Sequence, residues 1–281
     1  MSRVRTAHRT SLAARIGLPV AVAALLVFTL FPVYWMISTA LDPNALTRGS
    51  DVLPSGFTFE HFEFVFDKGN FGKYLLNSAI VGLGTIVAAA LLALFAAVAV
   101  ARFRFRFRTS VLVMILIVQM VPLEALVIPL FIQMRDYGLL NSLLGLSIVY
   151  IALSLPFAIW TLRGFVVAVP KEVEEAAYLD GCSWARMFWS VLLPLVAPGL
   201  VATSIFAFIT AWNEFIFAYV FMQNSEKYTA AVGIFQFAGE NSTAWGPVMA
   251  ASTLVTLPVL VFFIIIQRRM ASGLAAGAIK G

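Results

Sequence analysis

The sequence predicts an all-α polytopic membrane protein with about six transmembrane helices. Three observations carry that expectation: the apolar fraction, the lengths of the apolar runs and the placement of the basic residues. Of 281 residues, 61% are hydrophobic and 12% charged, with a mean hydropathy of +0.94. Soluble domains carry roughly 25% charged residues, so this chain lacks the charge to cover a globule of its size in water. Six apolar runs stand out, at about 17–40, 75–100, 110–133, 142–165, 188–212 and 247–267, each near the roughly 20 residues that cross a bilayer. They are apolar all round rather than amphipathic, as helices facing lipid or buried in a bundle are. Some of the 18 glycines and 12 prolines fall inside them, which membrane helices tolerate better than soluble ones. Residues 1–281 read as a single transmembrane domain.

The first run follows a basic segment holding Arg3, Arg5, Arg9 and Arg15. A cleaved signal peptide would share that feature, but the apolar stretch from Ile16 to Thr39 exceeds the roughly 7–15 residues of a signal core. A retained span is therefore expected. The next segment, 41–74, is polar and broken by Pro43, Pro54 and several glycines, with phenylalanines at 57–66. It suits a short amphipathic or re-entrant element ahead of the second span. Between spans two and three, Arg102-Phe103-Arg104-Phe105-Arg106-Phe107-Arg108 alternates as a strand or a nucleic-acid patch would. A short anchor loop, with arginines at lipid phosphates and phenyl rings at the interface, accounts for it better. Membrane lipid is thus an expected partner and nucleic acid is not.

Span three carries an acid, Glu124, between Pro122 and Pro129, where the helix is expected to break. An acid at membrane depth costs several kcal/mol unless paired or wetted. Two readings stand: a pathway or gate residue facing a cavity, or an acceptor for amides freed near the kink or for a neighbouring subunit. At the outer end of span five, Asn213 and Glu214 suit either pathway lining or interfacial solvation. Segment 222–246, with Gln223, Asn224, Ser225, Glu226, Lys227, Gly239, Glu240 and Asn241, reads as an extracytoplasmic loop.

Orientation follows from the 19 Lys and Arg residues. With the N-terminus inside, all but Arg48, Lys68, Lys73, Arg135 and Lys227 fall on the cytoplasmic side, a clear positive-inside bias. Both termini are then cytoplasmic, and the net charge of +5 is mainly a topology signal. The single cysteine, Cys182, offers neither a disulfide nor a thiolate cluster. His8 and His61 lie far apart in polar segments, so no metal site is expected. Gly69-Asn70-Phe71-Gly72-Lys73-Tyr74 lacks both the four-residue glycine gap and the Ser/Thr of a phosphate-binding loop. No catalytic residue and no nucleotide site of the chain's own is expected.

The informative segment is the cytoplasmic loop 166–187 between spans four and five. Lys171 to Leu179 forms helix readily, with Pro170 at its start and acids in its first turn. Gly181 suits the left-handed position that ends such a helix. An acidic helix is repelled by anionic headgroups, so it fits a protein partner rather than a lipid anchor. Glu175-Ala176-Ala177, three residues, Gly181, nine residues, then Val191 and Leu193-Pro194 resembles the EAA loop of ABC-importer permeases. The one departure is Val191 where the family has Ile. Ala211-Trp212-Asn213-Glu214-Phe215 resembles a segment of the sugar-type permeases. The tail Gly273–Gly281 is similar to the ending of the same carbohydrate branch (maltose and glycerol-phosphate type), departing at Ala275 and Ile279.

The resemblance covers essentially the whole chain, and it implies a type I ABC importer permease fold in a bacterial inner membrane. It implies import of a sugar or sugar-like solute by alternating access, driven by a partner ATPase through the coupling loop. It further implies a heterodimer with a second permease subunit, two cytoplasmic ATPase subunits that hold ATP and Mg, and an extracytoplasmic solute-binding protein. Glu174, Glu175, Ala176, Ala177, Asp180, Gly181 and Pro194 would form the ATPase-coupling loop, with Glu175 and Asp180 engaging donors in an ATPase cleft. Gly277 and Lys280 of the tail would reach the ATPase interface. Glu124, Asn213 and Glu214 would be pathway residues, and Trp212 or Tyr219 could stack on sugar faces. A stand-alone secondary transporter or channel is the alternative; it would share the spans and buried acids but has no need of the Glu175–Pro194 pattern.

Overall fold

The computed structural model describes residues 12–238 and 244–278, with side chains over 17–238 and 244–267. Helices dominate: α1 (Leu12–Ala40), α2 (Glu60–Asp67), α3 (Phe71–Arg102), α4 (Arg108–Gln119), α5 (Val127–Asp136), α6 (Leu143–Ala168), α7 (Lys171–Leu179), α8 (Trp184–Met187), α9 (Leu193–Asn213), α10 (Ile216–Phe221), α11 (Ala230–Gln236) and α12 (Trp245–Ala278). Among the described residues, five helical segments are long and apolar enough to cross a membrane: Gly17–Ala40, Phe71–Arg102, Leu143–Ala168, Trp184–Asn213 and Trp245–Gln267. A sixth span exists if α4 and the segment Leu123–Asp136 count as one, though the two are bent by 96°.

Two compact units are distinguishable. One draws on the chain up to Val65 and on Phe237–Thr253; the other on Phe66–Gln236 and the chain from Leu254 onward.

In the first unit, the polar segment after α1 closes on a buried charge pair. Arg48 is 6% exposed and Asp42 fully buried. The Arg48 guanidinium donates to Ser38 Oγ (3.0 Å), Thr39 Oγ1 (3.2 Å), Asp51 O (2.9 Å) and Val52 O (2.7 Å). It also lies 4.5 Å over the Trp35 ring and 3.7 Å from Asp42 Oδ2. The Asp42 carboxylate accepts from the Ser55 hydroxyl, the Ser55 amide and the Asn44 amide. Burial disfavours the ionised carboxylate, but these hydrogen bonds and the Arg48 charge outweigh it and hold Asp42 below the usual carboxylate range. The amphipathic element expected before span two is α2, with Glu60 and Glu63 in its first turn and Val65 buried. The ordered clasp ahead of it was not legible, because its partners are scattered over 38–55.

The second unit is built on α3, which packs most extensively against α6 and α9. Ala89, Ala90, Ala93, Ala97 and Ala101 of α3 are buried; such small side chains let membrane helices approach closely. Gly199 of α9 serves the same end, since a Cβ there would stand 2.5 Å from the Phe165 ring of α6. Helices α3 and α6 run parallel and α9 antiparallel to both, with two apolar clusters at opposite ends of the trio. One joins Leu94, Leu162, Val166, Ala177, Phe188 and Leu192; the other joins Val81, Leu146, Tyr150, Phe217 and Phe221.

Span five opens with α8 and a π turn, Phe188–Leu192, before α9. Pro194 has no N–H for the Ser190 carbonyl, and its ring crowds that oxygen; the wider turn ahead of it accommodates both. Span three departs from a single rod over 110–133: α4 ends at Gln119, and a 3₁₀ turn (Leu123–Leu126) leads into α5. Segment 222–246, expected as a loop, contains α11, docked by the Ala230 amide donating to Ser78 Oγ (2.8 Å) and by Tyr74 OH donating to Gln236 Oε1 (3.2 Å).

Candidate functional site

The loop between α6 and α9 folds as the sequence dictates. Helix α7 starts after Pro170, carries Glu172 and Glu174 in its first turn, and stops at Asp180. Its end is a Schellman close: the Cys182 amide donates to Ala177 O (3.0 Å) and the Gly181 amide to Tyr178 O (3.0 Å). Gly181 has φ +83° and open space where a Cβ would stand. Only a residue without a side chain holds that conformation freely. Ser183 then caps α8, accepting from the Arg186 amide.

Helix α7 has two unlike faces. Ala177 is buried in the apolar cluster with Val166, Phe188 and Leu192, and Cys182 packs against it. Glu174 turns the same way: its Oε1 accepts from Arg102 Nε at 2.6 Å, with the two side chains 12% and 11% exposed. Arg102 Nη2 also donates to Val169 O (2.8 Å). Glu172, Glu175, Ala176 and Leu179, spaced by three or four residues, are exposed on the other face, Leu179 to 89%. Asp180 and Gly181 are exposed beside them, and Pro194 is exposed at the start of α9. The loop residues Glu174 to Gly181 thus form one projecting element, in which Glu174 faces inward and Glu175 outward. Arg102, expected at lipid phosphates with its three neighbours, is instead tied to α7. Its partner lies 72 positions away, so no local signal could reveal it.

The other expected site residues are dispersed. Glu124 is exposed in the 3₁₀ turn at the break between α4 and α5, and no described N–H or cation reaches its carboxylate. Asn213 is exposed, its side-chain amide donating to Ile209 O (3.0 Å). Glu214 is half-buried and acts as a cap: it accepts from Tyr150 OH (2.5 Å) and from the amides of Phe217 (3.0 Å) and Ala218 (3.2 Å) at the start of α10. Trp212 is buried, donating to Val255 O (3.2 Å) and stacked on Phe208; it is not free to stack on a solute. Tyr219 is exposed and stacked on Phe215. Among the described residues nothing joins Glu124 to Asn213 or Glu214, and no cluster of His, Cys, Asp and Glu could hold a metal. The backbone of Gly277 lies in the last turns of α12, and Lys280 lies outside the described residues.

Residues 89–275 match the family described as the binding-protein-dependent transport system inner membrane component. The chain is 42% identical over 275 residues to the diacetylchitobiose uptake system permease protein DasC of Streptomyces coelicolor, covering 97% of this chain and all of that protein. It is 37% identical over 256 residues to the trehalose transport system permease protein SugB of Mycobacterium tuberculosis, covering 90% and 93%. In fold it resembles a chain of a bacterial ABC transporter that imports the acidic polysaccharide alginate. The TM-score is 0.79 at 23% identity, over 92% of this chain and 98% of that one. With this fold, its apolar spans and its projecting loop, the chain belongs to the inner-membrane components of binding-protein-dependent transport systems, as a multi-pass permease subunit of an ABC importer.

Proposed function

We propose that this permease conducts a sugar or sugar-like solute inward, with ATP energy delivered through the α7 loop. The observation that carries the coupling role is the outward face of α7. It presents two acids and a bare leucine on a helix whose other face is fastened to the bundle. A solvated acidic helix has no reason to leave Leu179 uncovered, whereas a cleft on a protein partner would bury it and pair Glu175 and Asp180 with basic or backbone donors. The partner is then a cytoplasmic ATPase, present twice, that binds ATP and Mg, while this chain binds neither. A second permease subunit and an extracytoplasmic solute-binding protein complete the complex. The basic residues favour both termini on the cytoplasmic side, which puts Gly277 and Lys280 within the ATPase's reach. The solute class rests on the relatives, whose names specify diacetylchitobiose and trehalose.

Uptake of labelled disaccharides into proteoliposomes tests this, using the chain co-expressed with its genomic neighbours. The expected result is uptake that requires ATP, the ATPase and the binding protein, and no flux through the chain alone. ATP-independent flux by the chain alone would return the secondary-transporter reading to first place.

A further inference from the structure

Three helix ends meet on one guanidinium. Arg102 closes α3, Val169 caps α6, and Glu174 lies in the first turn of α7. Arg102 Nε donates to Glu174 Oε1 at 2.6 Å, and Nη2 donates to the Val169 carbonyl at 2.8 Å. The charges suit the helix termini. The C-terminal ends of α3 and α6 carry partial negative charge and receive a cation, while the N-terminal end of α7 carries partial positive charge and receives a carboxylate. Both side chains are nearly nine-tenths covered, so salt screens the pair weakly.

The rest of α7's attachment is different in kind. It packs on α8 and the π turn, with Ala177 in the apolar cluster. Apolar contacts hold a helix close but are non-directional, so they resist sliding poorly. Among the described residues, Arg102–Glu174 is the ion pair that ties α7 to a membrane-spanning helix. The planar fork of arginine fixes two acceptors in one geometry, which a lysine ammonium does not.

We infer that Arg102 and Glu174 are positioning residues that form a rigid link from α7 to α3 and α6. Displacement of the coupling helix then moves the spanning helices instead of sliding across their ends. The inference rests on α7 being the coupling element. It deepens that reading by naming which helices receive the motion and through which atoms.

The test is uptake per ATP hydrolysed, measured on the full complex in proteoliposomes for Arg102→Gln, Glu174→Gln, the double variant and Arg102→Lys, with Gly181→Trp alongside. Each Gln variant should assemble and hydrolyse ATP, with uptake per ATP falling about tenfold. The double variant should fall no further than either single, because both remove one link. Arg102→Lys should recover part of the loss. Unchanged uptake per ATP in both Gln variants, with Gly181→Trp still uncoupled, overturns the link and leaves the coupling loop standing. Normal uptake per ATP in Gly181→Trp as well removes the coupling reading itself. Lower complex yield with normal uptake per ATP in what assembles makes the pair a stabilising contact only, and also overturns the inference.

Discussion

Glu214 shows how one residue type can serve an end that its position conceals. An acid at the end of a span suggests a pathway, yet here both carboxylate oxygens are engaged, by Tyr150 and by the first amides of α10. Replacing it with Ala would leave those donors unpaired, at a cost of about 1–3 kcal/mol each when buried. Glu214→Ala should therefore lower the thermal midpoint of the detergent-solubilised protein, whereas Glu214→Gln, which retains one acceptor, should lower it less. Equal midpoints for wild type and Glu214→Ala would contradict the capping role. Asp42 makes a second residue-level case, outside the spans. Its carboxyl is held below the usual carboxylate range in the folded protein, so its ionised form stabilises the fold above the pH at which a free carboxyl ionises. The stabilisation is lost as pH falls through the lower, folded value. Acid unfolding monitored between about pH 5 and 2 should therefore lose part of its slope in Asp42→Asn. An unchanged slope would exclude this carboxylate from the acid transition.

At the scale of elements, legibility in the sequence depended on whether the cause was local. The α7 stop at Gly181, its acidic first turn and the break in span three are set by residues within a turn of the feature, and all three were readable. The Asp42–Arg48 clasp and the Arg102–Glu174 link depend on partners brought together by folding, and neither was. The π turn has a local cause in Pro194 but was not read either, because a proline near a helix start also suits an ordinary first turn. Glu124 lies between these cases: the break was readable from Pro122 and Pro129, but the fate of the carboxylate was not. The structure leaves that carboxylate exposed, with no donor from the kink among the described residues. Hydrocarbon tolerates neither a bare acid nor freed backbone, unless protein or water covers them. Glu124→Gln should accordingly change uptake while the assembled complex is recovered in normal yield; a loss of assembly instead would assign Glu124 to a subunit contact. Close helix packing makes its own prediction. A side chain at Gly199 meets the Phe165 ring, so Gly199→Val should destabilise the α6–α9 contact by about 1–3 kcal/mol, read as a lower thermal midpoint.

At the scale of the molecule, composition and charge placement were enough to read a polytopic helical membrane protein. The EAA-type spacing was enough to read an importer permease, and the relatives support both. What no single chain's pattern contains is which helices form the core. The most apolar 18-residue stretch of span 17–40 holds no buried residue, and that of span 245–267 is 11% buried, against 33–39% for the corresponding stretches of α3, α6 and the α9 span. All five are comparably apolar, and that similarity is why hydropathy could not rank them. The central claim is that ATP energy enters through the α7 loop. ATP hydrolysis and labelled-disaccharide uptake, measured together on the reconstituted complex, test it most directly when Gly181→Trp is compared with Gly181→Ala. Both substitutions strain the φ +83° position, but only Trp adds bulk to the outward face. The account predicts that Gly181→Trp hydrolyses ATP yet loses most uptake, with Gly181→Ala losing far less. Equal uptake per ATP in Gly181→Trp and the wild type would contradict it.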